Sequence, residues 1–519
     1  MIETNYYKNY IKIYFWKLLS ISSGFLSLFI VVPFLSKDQE LFGIYSFCIA
    51  FIIYLSFADI GFLAAGQKYA AEQFVNGNRN EEMGILGFTA SILILMFLPF
   101  SITMIYLSFH PNMILNNLTS NSQNIASDIF LISGVIIPFQ IVLKRLTQSI
   151  LAIRIKDFIS LRIDVVFNML KIASVLYFFS DDKYLIVEYF LFINLLTIFS
   201  SVLIIIFIRK VENYDFLSLL KCIKLSNKYF LLTKKLALSS LLLTVSWIIF
   251  YELDVIAIGK FFGPKEVALY AIGFTFLNFI RSLWAAVFLP FAQRFNHFAD
   301  SDSNHKIKKL TSNLMYYTLP LCIVVTVVLI LATKYIVMFW VGEEYLESVK
   351  LMQILILGTG FSFVLQPAMF YFTAKTKYYY LNLLAIAAPI TFVIIVLIAV
   401  PRIGIVGFAV AKTCSMAMIF LISLFGISKL IDTIKILKKW GLQLFGFGFI
   451  ACYVFPEVFS VVFIDIYQSK FNLFLCIILS ATLILLSLIA IYGTKKHLRK
   501  MAFVFTTMII NKTTKFLTK

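Results

Sequence analysis

Long apolar runs alternate with short polar links along almost the whole chain. Fourteen runs contain about 17 residues or more, enough to cross the hydrocarbon core of a bilayer as a helix. This pattern predicts an all-α integral membrane protein with both ends on the same side of the membrane. The predicted spans are residues 18–35, 42–63, 83–107, 125–143, 163–179, 185–208, 236–258, 267–291, 314–339, 351–372, 381–400, 403–427, 440–464 and 473–492.

The seventh and eighth predicted spans are joined only by the short sequence GKFFGPKE, which predicts a tight helical hairpin. Three ionisable residues, Glu252, Asp254 and Arg281, lie inside this hairpin. A charge at hydrocarbon depth costs several kcal/mol unless it is paired or hydrated. The hairpin therefore indicates a polar interior between the helices.

The amino-acid composition is that of a membrane protein, and the position of the basic residues explains the net positive charge. Apolar residues make up 61% of the chain and charged residues only 14%. A net charge of +19 is compatible with nucleic-acid binding, but the basic residues lie in short links between spans. We therefore expect membrane lipids as partners and no nucleic acid.

The distribution of lysine and arginine predicts the orientation. With the N-terminus in the cytoplasm, 34 basic residues fall on the cytoplasmic side and 7 in the outer links. Basic residues resist translocation, so both termini are predicted to be cytoplasmic. Four basic residues lie within predicted spans: Lys171, Arg281, Lys334 and Lys412.

Several functions are disfavoured by features that the sequence lacks. No G-x-x-x-x-G-K-[ST] motif is present to hold ATP phosphates. The cysteines have neither paired spacing nor a C-x-x-C motif, so we expect no disulfide framework, metal site or cofactor. The outer links are too short for the folded domain that a membrane-bound polymerase usually needs.

The spacing of the spans predicts five regions. Residues 1–208 form an N-terminal lobe of six spans, and residues 209–235 form a basic cytoplasmic connection. Residues 236–428 form a second lobe of six spans, which predicts a parallel repeat around a central cavity. Residues 429–494 form an appended helix pair, and residues 495–519 form a basic cytoplasmic tail.

Four stretches of the chain resemble a known family. They are FADIGF (57–62), ELDVIAIGKFFGPKEVALYAIG (252–273), MFWVGEEYLESVKLMQIL (338–355) and PRIGIVGFAVAK (401–412). In order and spacing they resemble polysaccharide flippases of the multidrug/oligosaccharidyl-lipid/polysaccharide exporter superfamily, and O-antigen translocases most of all.

The resemblance implies two six-helix lobes around a cationic cavity. It implies transport of an undecaprenyl-pyrophosphate-linked oligosaccharide from the cytoplasmic to the periplasmic leaflet of the bacterial inner membrane. Such a protein is a transporter and not an enzyme, with glycan polymerase and chain-assembly proteins as candidate partners. A cation-coupled multidrug exporter of the same superfamily is the alternative, although its cavity should favour acidic residues.

Among the basic residues, Arg281, Lys412 and Lys171 are predicted to line the cavity and bind the diphosphate. Arginine offers paired donors that match phosphate oxygens. Arg281 can instead pair with Glu252 or Asp254, whereas Lys334 lies close enough to a span end to snorkel.

Among the acidic residues, Glu252 and Asp254 are predicted either to carry a coupling ion or to pair with the cavity cations. Asp59, near the cytoplasmic end of its span, is predicted to be a helix-end or gate residue, with an ion site as the alternative.

Overall fold

The computed structural model describes residues 2–56, 61–180, 183–251, 253–300, 304–375, 377–428, 431–463 and 470–495. All regular structure in these ranges is helical. The eighteen α-helices are α1 Ile2–Leu35, α2 Gln39–Ser56, α3 Phe62–Val75, α4 Arg79–Phe109, α5 Ser120–Ile153, α6 Phe158–Phe178, α7 Ile186–Glu212, α8 Phe216–Lys221, α9 Asn227–Tyr251, α10 Leu253–Phe261, α11 Pro264–Asp300, α12 Asn304–Trp340, α13 Ser348–Leu357, α14 Ser362–Ala374, α15 Tyr378–Ile403, α16 Val406–Ser428, α17 Thr433–Val462 and α18 Lys470–Gly493.

Each predicted span corresponds to one of these helices or to a consecutive pair. In the described residues, 11 helices are long and apolar enough to cross a membrane. The other three predicted spans, 42–63, 163–179 and 236–258, correspond to α2, α6 and the pair α9 and α10. The described part of α2 is a shorter apolar helix, and α6 carries three charged residues in 21. The prediction of an all-helical, multi-pass membrane fold is confirmed.

The second predicted span differs locally from a single straight helix. Helix α2 ends at Ser56, and α3 begins at Phe62 after Gly61, which has a φ of 78°. This left-handed conformation costs glycine little because it has no Cβ. Asp59 lies outside the described residues.

The chain divides into two compact units, Met1–Ala271 and Ile272–Lys519. In the first unit, α1 packs on α6, α5 packs on α4 and α7, and α3 packs on α4 and α9. In the second unit, α12 packs against α13, α14, α17 and α18, while α16 packs against α13, α14 and α15. Helices α17 and α18, predicted as an appended pair, thus pack on α12.

Aromatic side chains form much of the contact between α12 and the last two helices. The rings of Tyr335 and Phe459 stack with their centroids 5.3 Å apart. The indole nitrogen of Trp440 donates a hydrogen bond to the backbone oxygen of Tyr316 at 3.0 Å. Aromatic pairs and satisfied indole donors stabilise contact in an apolar environment, where unpaired polar groups are costly.

The connection at residues 209–235 is packed against the first unit and is not an extended linker. Tyr214 and Leu219 are buried in a core cluster with residues of α4 and α5. A Cβ added at Gly87 would lie 2.4 Å from the backbone oxygen of Cys222, so α4 and the connection are in close contact there. Asp215 caps α8, and hydrogen bonds from Ser218 lower the pKa of its carboxyl below the usual value.

Candidate functional site

Arg281 lies near the middle of α11, which has 37 residues. Its Nη1 donates a hydrogen bond to Oδ1 of Asn278 at 2.9 Å, and its side chain is partly buried. Ala285 follows on the same side of the helix and is exposed. A polar side chain in the middle of a spanning helix needs polar protein partners or water, since lipid cannot satisfy it.

The opposite face of α11 has a different character. Leu283 and Val287 are also exposed, at 37% and 41%, but they are apolar. With about 100° per residue, these two side chains point away from Arg281 and Ala285. Helix α11 is thus partly exposed on both faces, with Arg281 on one and apolar side chains on the other.

Lys412 on α16 is fully buried in the second unit. Its Nζ lies 4.3 Å from the ring centroid of Phe274 on α11 and 5.9 Å from that of Phe392 on α15. Rings at these distances stabilise an ammonium group through their negative faces. In this conformation Lys412 therefore contacts aromatic rings, and its role as a cavity cation stays a prediction.

Lys412 and Arg281 are related through one face of α11. Phe274, Asn278 and Arg281 follow one another at helical spacings of four and three residues, which places them on the same side. Phe274 contacts Lys412, and Arg281 lies about 10 Å further along the axis. The two predicted cations thus approach the same surface of α11, two turns apart.

Lys171 belongs to the first unit, on α6. Its Nζ donates a hydrogen bond to Oγ1 of Thr197 on α7 at 2.7 Å, and its side chain is partly buried. One pair that the sequence reasoning missed lies two turns away, where Nζ of Lys144 contacts Oδ1 of Asp164 at 3.2 Å. The one sign of this pair in the sequence is the charged residue Asp164 within a predicted span.

Asp254 is fully buried in the first unit, and the hydroxyl of Tyr270 donates a hydrogen bond to its Oδ2. Its Oδ1 accepts a hydrogen bond from the backbone of Val255 at 3.0 Å. The carboxyl group is thus positioned by α10 and α11. Glu252, predicted beside it, lies outside the described residues.

A second feature missed by the sequence reasoning is a buried ionic network in the first unit. Arg154 Nη2 lies 2.8 Å from Oε1 of Glu82, and Arg154 Nε lies 3.7 Å from Oε2 of Glu212. Lys156 contacts the same Glu212. In the sequence these residues lie in separate links or near the ends of spans. The packing of α4, α5 and α7 brings them together, so the sequence alone did not predict the network.

Among the residues that the structure describes, no group of three or more His, Cys, Asp or Glu side chains is arranged to hold a metal ion.

Several solved membrane transporters have the same fold. The lipid II flippase MurJ in an inward closed conformation has a TM-score of 0.64 and 17% identity, covering 94% of this chain and 99% of its own. An inward-facing multidrug resistance MATE family transporter of the MOP superfamily has a TM-score of 0.60 and 13% identity, covering 80% and 95%. A MATE transporter in complex with MaL6 has a TM-score of 0.53 and 13% identity, covering 82% and 96%.

No protein-family model matches the chain, and neither does any curated protein sequence. The chain therefore shares the fold of these membrane transporters, one of which belongs to the MOP superfamily. The predicted resemblance to this superfamily is confirmed at the level of the fold. The polysaccharide-specific part of that resemblance stays a prediction.

Proposed function

We propose that the protein is a flippase that moves an undecaprenyl-pyrophosphate-linked oligosaccharide, such as an O-antigen repeat unit, from the cytoplasmic to the periplasmic leaflet. The observation that carries this proposal is the accessible polar face of α11 around Arg281, in a fold shared with a lipid II flippase. A guanidinium group at that depth attracts an anionic head group into the membrane interior.

The chemistry of Arg281 suits a diphosphate. Its Nη1 donates a hydrogen bond to Asn278, which orients the guanidinium group, and guanidinium donors match the oxygens of a diphosphate. Lys412 lies two turns away against the same face of α11 and adds positive potential there. Lys171 supplies a cation from the first unit.

Transport would proceed by alternating access. The head group and sugars enter an inward-open aqueous cavity, while the polyprenyl tail stays in the bilayer. Rocking of the two lobes then exposes the head group on the outer side. Because the chain has no ATP-binding loop of the P-loop type, the driving force is a gradient, the membrane potential or removal of the product.

The acidic residues have a separate proposed role. Asp254 is fully buried and hydrogen-bonded to Tyr270, which suits a carboxyl group that exchanges a proton or binds a coupling cation when the cavity opens. Glu252 is proposed to share this role or to pair with the cavity cations. Asp59 is proposed as a gate residue at the cytoplasmic end of its span.

The proposed location is the bacterial inner membrane, with both termini in the cytoplasm. The support is the excess of basic residues, 34 against 7, on one set of links. Membrane lipids are partners in any case, and glycan polymerase and chain-assembly proteins are proposed to act on the product. The protein itself would carry out no covalent step and is therefore proposed not to be an enzyme.

The test compares Arg281→Ala with Arg281→Lys in a strain that depends on this protein for surface glycan. We expect the Ala variant to lose export at normal expression and the Lys variant to retain part of it, since the charge remains but the paired donors do not. Full export by the Ala variant would remove Arg281 from the mechanism.

A cation-coupled multidrug exporter is the second candidate, because MATE transporters share the fold. An exporter of organic cations needs acidic residues facing its substrate, whereas the charged residue near the middle of α11 is Arg281. Drug sensitivity of a deletion strain, with unchanged surface glycan, would favour this candidate.

A further inference from the structure

A row of polar side chains runs along one face of α6 in the first unit. Asp164, Asn168 and Lys171 follow at spacings of four and three residues, so they lie on the same side of the helix over about 10 Å. Their neighbours come from three other helices. Asp164 contacts Lys144 of α5, Asn168 contacts Ser23 of α1 at 3.4 Å, and Lys171 contacts Thr197 of α7.

The two ends of this row lie at different depths. Asp164 lies six residues after the start of α6, and Lys144 lies nine residues before the end of α5, both at the side predicted to be cytoplasmic. Lys171 lies about 10 Å further towards the middle of the membrane. The side chains of Lys144 and Asp164 are 32% and 15% exposed, so this pair at the cytoplasmic end of the row is partly accessible to water and ions.

The row carries more positive than negative charge. Two lysines share one aspartate, and no carboxylate of a described residue lies within 4.0 Å of Lys171 Nζ. The side-chain oxygen of Gln140, one turn before Lys144 on α5, is buried without a hydrogen-bond partner. Positive charge at membrane depth suits an anionic ligand, and an amide oxygen, which only accepts hydrogen bonds, suits the hydration water of that ligand.

We propose that Lys144 and Lys171 form an entry path for the diphosphate of the substrate, with Asp164 as the counter-ion that holds Lys144 until the diphosphate displaces it. This inference rests on the proposed function and adds Lys144 and Asp164 to the residues that recognise the head group. An ion pair that is partly exposed is weaker than a fully buried one, so an incoming diphosphate can exchange with it.

The test measures binding of inorganic pyrophosphate to the purified full chain in lipid nanodiscs. Asp164→Asn releases Lys144 from its counter-ion and should tighten binding about threefold or more. The double variant Lys144→Gln with Asp164→Asn has the net charge of the wild type and no unpaired charge. It should bind about fivefold more weakly, because the lysine is absent.

The matched control is the exposed pair Lys68 and Glu72 on α3, whose nitrogen and oxygen are 3.8 Å apart. Lys68→Gln with Glu72→Gln removes the same charges and should leave pyrophosphate binding unchanged. Thermal unfolding of all variants separates binding from stability. A double Lys144 and Asp164 variant that binds like the wild type would overturn the proposal and leave the pair a structural contact.

A second experiment tests whether the site binds the diphosphate of a polyprenyl lipid as well as inorganic pyrophosphate. Undecaprenyl pyrophosphate placed in the nanodisc should compete with inorganic pyrophosphate for the wild type, and less well for the double variant. Absence of competition would also overturn the proposal. Surface glycan in a deletion strain tests the flippase function separately, so unchanged surface glycan there together with Lys144-dependent pyrophosphate binding would reject the function but not this site.

Discussion

The Nζ atom of Lys412 lies 4.3 Å from the centre of the Phe274 ring, and Arg281 follows seven residues after that ring on the same face of α11. One helix face therefore carries a partly exposed arginine and a ring that stabilises a buried lysine. In the proposed cycle, Lys412 is held by aromatic rings in this conformation and contributes its charge to the diphosphate when the second unit rearranges.

Phe274→Leu should destabilise the protein because the leucine keeps most of the apolar volume but has no negative ring face for Lys412. The expected loss is about 1–2 kcal/mol, read as a lower midpoint of thermal unfolding in detergent. In a Lys412→Met background the same substitution should cost clearly less. An equal cost in both backgrounds would mean that the ring acts only by packing.

Asp254→Asn tests whether this buried carboxyl group carries a coupling ion. The amide keeps the shape of the side chain but cannot exchange a proton, so transport should lose its dependence on a pH or sodium gradient. Tyr270→Phe is the comparison, because it removes the hydrogen bond and keeps the carboxyl group. Gradient-dependent transport by Asp254→Asn in proteoliposomes would exclude Asp254 from coupling.

Arg154→Met should be strongly destabilising. It leaves Glu82 and Glu212 without their shared guanidinium partner, and the Glu82 side chain is fully buried. Breaking a buried ion pair costs about 3–5 kcal/mol, which should appear as low yield and early thermal aggregation. Adding Glu82→Gln should recover part of the loss. Lys68→Met in the exposed α3 pair should change stability little.

Gly87→Ala tests the packing of the connection on the first unit. The new methyl group would meet the backbone oxygen of Cys222, which cannot move without shifting the chain, so we expect a loss of about 1–3 kcal/mol. Gly446→Ala on α17 is the matched control, because no atom lies within 4 Å of its added Cβ. The fraction of each variant that remains in the monomer peak after heating measures its stability. Equal stability would show that the connection moves freely.

Hydropathy predicted the membrane helices well, because the cost of placing polar backbone and side chains in lipid acts on each segment separately. It did not predict the separation of α2 from α3, which depends on a left-handed backbone at Gly61. The site was predicted only as a set of charges. The contacts of Lys412 with an aromatic ring and of Lys144 with Asp164 depend on which helices become neighbours. The sequence around each residue does not contain this information.

The most direct measurement of the central claim is the chemical accessibility of α11. In a variant with the six native cysteines replaced, cysteine is placed at Ala285, on the side of Arg281, or at Leu283, on the opposite side. A water-soluble maleimide is applied from both sides of the membrane. An aqueous space at Arg281 predicts rapid labelling at position 285 and little at 283; two unreactive positions, or labelling only at 283, would contradict it.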